Sequence, residues 1–165
     1  MTRQIETFVP APEPIIGYHI LIRDLDEHDK EQVKVLDKLS EQHVADTLDS
    51  EEYAWGIFRE GRLLGYCTIG GVEGTEHQQI AEELDEVPTS RTLSDVYMHP
   101  YCRNLGLGTI MISKIIEHVI LPQDISNVFC TIHHDRLYNF YERLGFKEME
   151  DGILYHPCKC ETEEK

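Results

Sequence analysis

A short run between an apolar strand and an apolar helix carries the residue types that bind phosphate. It reads Arg103-Asn104-Leu105-Gly106-Leu107-Gly108-Thr109. The first backbone N–H groups of a helix have no partner inside the helix, and the helix dipole makes that end positive. Glycine at 106 and 108 lets the backbone approach a ligand without an intervening Cβ, and Arg103 adds a forked cation. The run predicts an anion site built mainly from main-chain groups, suited to a pyrophosphate.

The spacing of the glycines excludes two common phosphate loops. No Gly-Lys-Ser/Thr follows, as a Walker loop requires, and Met111 stands where a dinucleotide fingerprint has its third glycine. Taken alone, the run also fits a helix that simply begins near two glycines. The assignment therefore depends on the residues around the loop.

Two separated blocks resemble one known family. The residues from Val96 to Thr109 resemble the acetyl-CoA signature of the GNAT N-acetyltransferase superfamily: a hydrophobic strand, often a proline, then Arg/Gln-x-x-Gly-x-Gly/Ala opening a helix. Phe140-Tyr141-Glu142-Arg143-Leu144-Gly145-Phe146 resembles the Leu-Tyr-Glu-Lys-x-Gly-Phe segment of the same family. The order of elements agrees over about residues 18–156. The resemblance implies acetyl-CoA as the co-substrate.

The resemblance also implies which residues bind CoA. In this family CoA lies where two parallel strands splay apart, here Leu93–Met98 and Val128–Ile132. The pantetheine would pair with the first strand, and the Met98 amide would polarise the thioester carbonyl. His134 stands where the family often has an asparagine that bonds the pantetheine. The implied cofactor-binding residues are Val96, Tyr97, Met98, Arg103, Asn104, Leu105, Gly106, Leu107, Gly108, Thr109 and His134.

Two further residues have implied catalytic roles. Tyr141 falls on the position of the family's general acid, where a phenol can protonate the departing CoA thiolate. Without the resemblance, the sequence favours a core aromatic of an amphipathic helix at this position. Some members of the family have two acidic residues at the positions held here by Ser94 and Asp95, and only Asp95 is acidic in this chain. Asp95 is interpreted either as a group that holds or deprotonates the amine, directly or through water, or as a structural acid bonded to the backbone.

Other nearby groups are weaker candidates for the same chemistry. His99, His133 and Glu142 lie near the implied site, and Cys102 sits beside the loop. Because the family transfers the acetyl group directly, a covalent cysteine intermediate is not expected. Leu137 also departs from the family pattern, which has a small residue there.

The net charge of the chain limits the kinds of partner that it is expected to bind. The 165 residues carry 31 acidic and 15 basic side chains, a net charge of −16. Such a chain repels nucleic acid, whose binding depends on Lys and Arg, and this argues against a toxin that acts on aminoacyl-tRNA. A cationic amine suits the field, although excess acid can also serve solubility alone.

The function that these observations favour is an N-acetyltransferase. We expect direct transfer from acetyl-CoA to a primary amine of a small or cationic acceptor in a ternary complex. The alternatives are a CoA-binding regulatory module with little catalysis, motivated by His134 and Ser94, and a protein N-acetyltransferase. The resemblance also suggests a homodimer through the C-terminal strands, and neither nucleic acid nor membrane is an expected partner.

The elements that position these residues follow from hydrophobic periodicity. An acidic insertion, residues 72–91, is interpreted as a solvated helix near 76–85 or as a lid that selects a cation. We expect an α/β (α+β) fold with a mixed, mostly antiparallel sheet, a splayed parallel pair and helices on both faces. The remaining predicted elements are strand Tyr18–Ile22, a helix from Asp24 or Asp26 to about His43, a turn or short helix at 46–52, strands Ala54–Arg59, Leu63–Ile69 and Leu93–Met98, helix Leu107–Leu121, strand Val128–Ile132, helix Leu137–Leu144, and strands Phe146–Glu150 and Ile153–His156.

The predicted organisation is one domain over residues 17–157. An extended proline-containing arm, 1–16, precedes it, and a charged tail, 158–165, follows. The five scattered cysteines, the lack of a signal-like apolar core near the start and the lack of a run near about 18 apolar residues favour a cytoplasmic protein with reduced thiols. Cys158 and Cys160 lack a second pair of ligands at finger spacing, so no metal site is predicted.

Overall fold

The computed structural model describes residues 4–9, 18–48, 53–103, 105–150 and 152–158. Eight strands and five α-helices alternate along it much as the periodicity predicts. The strands are β1 Gln4–Val9, β2 Tyr18–Asp24, β3 Tyr53–Arg59, β4 Arg62–Gly71, β5 Ser90–Met98, β6 Asn127–Thr131, β7 Lys147–Glu150 and β8 Ile153–Pro157. The helices are α1 Lys30–Ser40, α2 Val44–Thr47, α3 Gln78–Glu83, α4 Leu107–Ile115 and α5 Tyr138–Arg143.

The chain divides into two units, and β4 and β5 contribute to both. The first unit comprises the described residues of 1–69 and 95–115, and the second those of 70–94 and 116–165. In the first unit the strand order is β1-β2-β3-β4-β5, and in the second it is β5-β6-β8-β7. Residue pairs Ser90–Asn127 to Thr92–Phe129 make β5 and β6 parallel. Neighbouring pairs β1–β2, β2–β3, β3–β4, β6–β8 and β7–β8 are antiparallel. The predicted mixed, mostly antiparallel sheet is confirmed.

The first unit has its own hydrophobic core beneath α1 and α2. It is centred on Val33, Leu36, Phe58 and Tyr66, each almost fully buried. These residues come from α1, β3 and β4, so the amphipathic helix and the apolar hairpin strands bury their faces against each other. The predicted hairpin is confirmed, with a left-handed Glu60-Gly61 turn between its strands.

The start of α1 differs from the predicted simple helix cap. Asp26 caps a 3-10 turn, Glu27–Asp29, by accepting from His28 N, and the Asp29 carboxylate in turn accepts from Asp26 N. Asp29 is nearly buried and forms a bidentate pair with Arg23, both N–O distances being 2.8 Å. Burial acts to raise the pKa of Asp29, but the bonds from Arg23 and the backbone outweigh it and lower that pKa.

The second unit packs the predicted acidic insertion onto the parallel strand pair. Val72 and Ala81 are fully buried against Phe129 of β6. Glu82 and Glu83 of α3 point to solvent. The helix within the insertion is therefore solvated on one face and part of a core on the other.

Two elements differ from the sequence prediction. Residues 4–9 of the expected extended arm form strand β1, with Gln4 opposite Arg23 and Val9 opposite Tyr18. The long helix expected over 107–121 is α-helical only to Ile115 and continues as a π-helix, Ile116–Ile120. Leu121 N donates to Ile116 O, a five-residue spacing that hydrophobic periodicity does not resolve. The single-domain assignment of 17–157 stays a prediction, and most of the expected tail lies outside the described residues.

Candidate functional site

The predicted phosphate loop lies between β5 and α4 in the first unit. Ile110 N donates to Gly106 O at 3.1 Å, so the helix begins after Gly106. Gly106 has a φ of +79°, and a Cβ there would meet no atom within 4 Å. Because the N–H groups of residues 107–109 precede the first internal bond of the helix, they are available to an anion. Leu107 is buried, Leu105 and Gly108 are half-buried and Thr109 is exposed, whereas Asn104 lies outside the described residues.

A short turn connects β5 to this loop. Pro100–Cys102 form one 3-10 turn, and His99 Nδ1 accepts a hydrogen bond from Tyr101 N at 3.1 Å. Cys102 N donates to His99 O at 2.8 Å. Burial raises the pKa of the Cys102 thiol, although Arg59 and Arg62 oppose it. A thiol held protonated in this way is a poor nucleophile.

Arg103 is exposed and braced against the end of β5. Its Nε donates to the Met98 carbonyl at 3.0 Å, and its guanidinium carbon lies 5.1 Å from the centre of the Tyr97 ring. These two contacts fix the side chain at its base, and a guanidinium of this kind retains donors for a phosphate. The predicted residues Tyr97, Met98 and Arg103 are thus brought together.

The end of β5 lies close to β4 because Gly65 has no side chain. A Cβ at Gly65 would lie 2.6 Å from the Tyr97 carbonyl oxygen and would overlap Met98 Sδ. His99 N also donates to Leu64 O at 2.8 Å. Sequence reasoning did not single out Gly65, because a glycine inside a strand does not reveal which backbone approaches it.

Asp95 interrupts the regular pleat of β5. Its φ is +54°, in the left-handed region that few non-glycine residues occupy and that aspartate tolerates better than most. One carboxylate oxygen accepts from Thr68 Oγ1 at 3.1 Å. Burial raises the pKa of the neighbouring Cys67 thiol, and the negative charge of Asp95 raises it further. Val96, which follows, is half-buried.

A polar cluster under α1, which sequence reasoning missed, adjoins the Tyr97 ring. Tyr66 is fully buried, and its hydroxyl lies 2.9 Å from Asp37 Oδ1 and 2.8 Å from Ser40 Oγ. The Tyr66 and Tyr97 rings are 5.9 Å apart. Burial raises the pKa of Tyr66, with Asp37 adding to the effect and Ser40 opposing it. Asp37 and Tyr66 are 29 residues apart, and no local spacing signals such a pair.

A surface cleft of about 440 Å³ lies beside this cluster. Its lining carries charges of both signs, so its composition alone does not select a cationic ligand. The lining residues are Lys34, Asp37, Lys38, Glu41, Gln42, His43, Ala45 and Asp46.

Tyr141 lies on α5 in the second unit and is 7% exposed. Its ring meets Phe140 and Phe146 edge to face, with centroids 4.9 and 5.4 Å apart. Its carbonyl accepts from Phe146 N at the end of the helix, where Gly145, at a φ of +101°, is the predicted C-terminal glycine. The packing is that of a core aromatic, and the acid role that the resemblance implies stays a prediction.

His134, also in the second unit, is exposed at the start of a 3-10 turn, Asp135–Leu137, and makes no side-chain cap bond. It lines a surface cleft of about 330 Å³ together with His133, Tyr138 and Glu148. The weaker candidates His133 and Glu142 are exposed as well.

Within the described residues, no group of three or more His, Cys, Asp or Glu side chains is arranged to hold a metal ion. Cys67, Cys102, Cys130 and Cys158 are free thiols. No helix in the described part of the chain combines the length and the apolar character needed to cross a membrane.

Comparison with protein families gives a match over most of the chain. The profile of the family described as "Acetyltransferase (GNAT) family" matches residues 18–146. No functionally curated protein sequence matches the chain.

Solved structures share the fold at low identity. The ribosomal-protein-S18-alanine N-acetyltransferase from Escherichia coli is 15% identical, with a TM-score of 0.66 over 88% of this chain and 98% of that one. A GNAT-family acetyltransferase from Staphylococcus aureus Mu50 is 16% identical, with a TM-score of 0.63 over 85% and 99%. The structure described as AtaTR bound with AcCoA is 19% identical, with a TM-score of 0.64 over 84% and 93%.

Proposed function

The chain belongs to the acetyltransferase (GNAT) family, which uses acetyl-CoA, and from this premise we propose the acceptor and the mechanism of its reaction. It moves the acetyl group of acetyl-CoA to a primary amine of a small or cationic acceptor in a ternary complex. The observation that carries the proposal is the loop that opens α4. Its first N–H groups, which have no partner inside the helix, act with the left-handed Gly106 and the braced Arg103 as the site for a pyrophosphate.

Three residues of this chain have separate roles in the proposed reaction. The amide of Met98 polarises the thioester carbonyl, and the amine nitrogen forms a C–N bond to the carbonyl carbon while the C–S bond breaks. Asp95 accepts the amine proton, directly or through water, since its carboxylate is half-buried near the end of β5 and accepts a bond from the Thr68 hydroxyl. Tyr141 donates its phenolic proton to the departing thiolate of CoA. The protonated Cys102 takes no part.

The preference for a small or cationic amine is supported by the net charge of −16 and by the carboxylate at Asp95. Exposed acids attract cations to the surface, an effect that salt screens. Reduced thiols in such a chain also suit the cytoplasm, the compartment that we propose for it.

The test is an acetyl-CoA assay against a panel of diamines, polyamines, aminoglycosides, amino acids and peptides with free N-termini. CoA thiol release and product mass are both recorded. Acetylated product from small amines supports the proposal, whereas product only from peptides would identify a protein N-acetyltransferase. Direct transfer in a ternary complex predicts intersecting double-reciprocal plots, and parallel lines would contradict it.

A CoA-binding module with little catalysis is the second candidate. Its motivating observation is His134, which replaces the family asparagine and is exposed with no cap bond from its side chain. This candidate predicts saturable acetyl-CoA binding with no CoA release above the rate without amine across the whole panel. Detection of one acetylated product would exclude it.

A further inference from the structure

The acidic insertion carries a histidine that reaches into the parallel strand pair. His77 directly precedes α3 and is 1% exposed. Its Nδ1 lies 3.0 Å from Thr92 Oγ1 on β5, and its Nε2 lies 2.8 Å from Thr131 Oγ1 on β6. One imidazole thus bonds to both parallel strands at once.

The imidazole occupies the point where the two strands cease to pair. The parallel register runs over three residue pairs and ends at Thr92 and Phe129, whereas β6 continues to Thr131 and β5 to Met98. The His77 ring stacks on Phe129, with centroids 5.6 Å apart and planes at 26°. The side-chain hydrogen bonds of His77 therefore connect β5 and β6 at the point where the main-chain hydrogen bonds between them end.

A carboxylate fixes the direction of these bonds. Thr131 Oγ1 donates to Glu76 Oε2 at 2.7 Å. A threonine hydroxyl has one proton, so Thr131 must accept at its bond to His77, and Nε2 of His77 must carry the proton. Nδ1 of the neutral ring then accepts from the Thr92 hydroxyl. All three hydroxyl and imidazole groups are satisfied only in this one arrangement.

At the start of the parallel pair, called here the closed end, a hydroxyl pair lies beside main-chain hydrogen bonds; the end at Thr92 and Phe129, where the pairing stops, is called the open end. Before the strands begin, Thr89 Oγ1 and Ser126 Oγ lie 2.8 Å apart, and Ser126 N donates to Thr89 O at 2.7 Å. There the main-chain ladder follows at once. A hydroxyl bond at that end therefore adds to an existing connection, whereas the bonds of His77 act where the ladder has ended.

We propose that His77 is a positioning residue for acetyl-CoA, which fixes the separation of β5 and β6 at the end of their pairing. The inference rests on the proposed function, because the family relation places the pantetheine between diverging parallel strands. The residues implied in cofactor contact begin at Val96, four positions after Thr92 along the same strand. We therefore expect a change in the position of Thr92 to alter the position of these residues.

The test measures the dissociation constant of acetyl-CoA by calorimetry for four single variants. His77→Phe keeps the ring and its stacking but removes both bonds, and we expect it to weaken binding about tenfold, near 1.4 kcal/mol. Thr131→Val removes one bond, and we expect a loss of about threefold. In His77→Gln a carboxamide supplies one donor and one acceptor, so binding returns to within about twofold of the wild type. Thr89→Val, the matched loss at the closed end, leaves affinity unchanged.

A second readout does not depend on the cofactor. Imidazole ¹⁵N shifts of the free protein are expected to show His77 protonated on Nε2, and Glu76→Gln or Thr131→Val is expected to alter that signal. Protonation on Nδ1 in the wild type would overturn the bonding scheme. If His77→Phe does not fold, Thr131→Val and His77→Gln, compared with Thr89→Val, decide the question.

The outcomes separate the two proposals. A wild-type protein that does not bind acetyl-CoA overturns the proposed function. A wild-type protein that binds it with an affinity that His77→Phe and Thr131→Val leave unchanged overturns only the role of His77. Equal weakening by Thr89→Val would also overturn that role, because it would indicate a general loss of stability rather than a specific effect at the open end.

Discussion

The proposed phosphate loop, residues 103–109, and the Tyr141 block, residues 140–146, differ in the groups that would serve the reaction. In the loop, the proposed functional groups are backbone N–H groups, and the side chains of Arg103 and Thr109 are exposed. In the block, the proposed functional group is one phenol, on a ring that contacts Phe140 and Phe146. The binding capacity of a main-chain site depends on the backbone conformation, whereas that of a side-chain site depends on the few atoms of one functional group.

This difference determines which substitutions are informative. A side-chain replacement in the loop leaves the N–H groups in place, so only a residue that alters φ or adds a Cβ should have a large effect. In the Tyr141 block the ring packs against Phe140 and Phe146, and only the hydroxyl has a proposed chemical role. The two contributions can be separated there by removing one atom.

The largest effect is expected from Tyr141→Phe. The ring contacts with Phe140 and Phe146 remain, so we expect the variant to fold with a cooperative thermal transition, while kcat falls about 100-fold through loss of the acid. Steady-state kinetics and a melting curve measure the two quantities. Tyr138→Phe on the same helix is the control and should keep full turnover. Unchanged kcat in Tyr141→Phe across the acceptor panel would leave the tyrosine as a core residue only.

The next largest effect is expected from Gly106→Ala. A φ of +79° strains an alanine by about 1 kcal/mol, and the new Cβ obstructs the approach of the pyrophosphate, so the acetyl-CoA dissociation constant rises about tenfold. Gly61→Ala is a close match, because Gly61 shares the φ of +79° and the open surroundings but lies in the β3–β4 turn. Equal loss of affinity in both variants would show that strain, and not the ligand, explains the result.

A smaller effect is expected from Arg103→Gln. The exposed guanidinium contributes a screened charge, so acetyl-CoA affinity should fall about threefold at low salt and the difference should shrink near 1 M salt. Calorimetry at two salt concentrations measures this. A loss that does not depend on salt would show that the brace to Met98, rather than the charge, is what matters.

The smallest effect concerns pH. Burial lowers the pKa of His77, and the charge of Glu76 only partly opposes this, so the unfolded chain binds the proton more readily than the folded one. The contribution of neutral His77 to the free energy of unfolding is therefore fully present above about pH 6.5, the ordinary histidine pKa, and decreases as the pH falls below that value. Thermal melts from pH 8 to 5 should show a shallower decline for His77→Gln. Burial also lowers the pKa of His156, so part of the decline in melting temperature with falling pH should remain in His77→Gln. An identical decline would assign the pH dependence to other groups.

Much of the fold could be predicted from local patterns. The β3–β4 hairpin, α4 with its glycine loop, and the glycine that ends α5 each have a signature within a few residues. Strand β1 was not predicted because Pro10, Pro12 and Pro14, which follow it in the sequence, suggested an irregular arm, and because no short pattern signals its pairing with β2. The end of α4 at Ile115 escaped because an apolar face continues unchanged into the π-helix.

The candidate site was predictable only where it is local. The sequence by itself determined that a glycine-containing loop precedes a helix, and that both this loop and the block around Tyr141 resemble one family, because both signals are contiguous runs. Only the tertiary structure decided that Gly65 makes room for Tyr97 and Met98, that Tyr66 bonds to Asp37, and that His77 bonds to Thr92 and Thr131. Those contacts join residues 15 to 54 positions apart, and their energies depend on burial and direction, which no local spacing encodes.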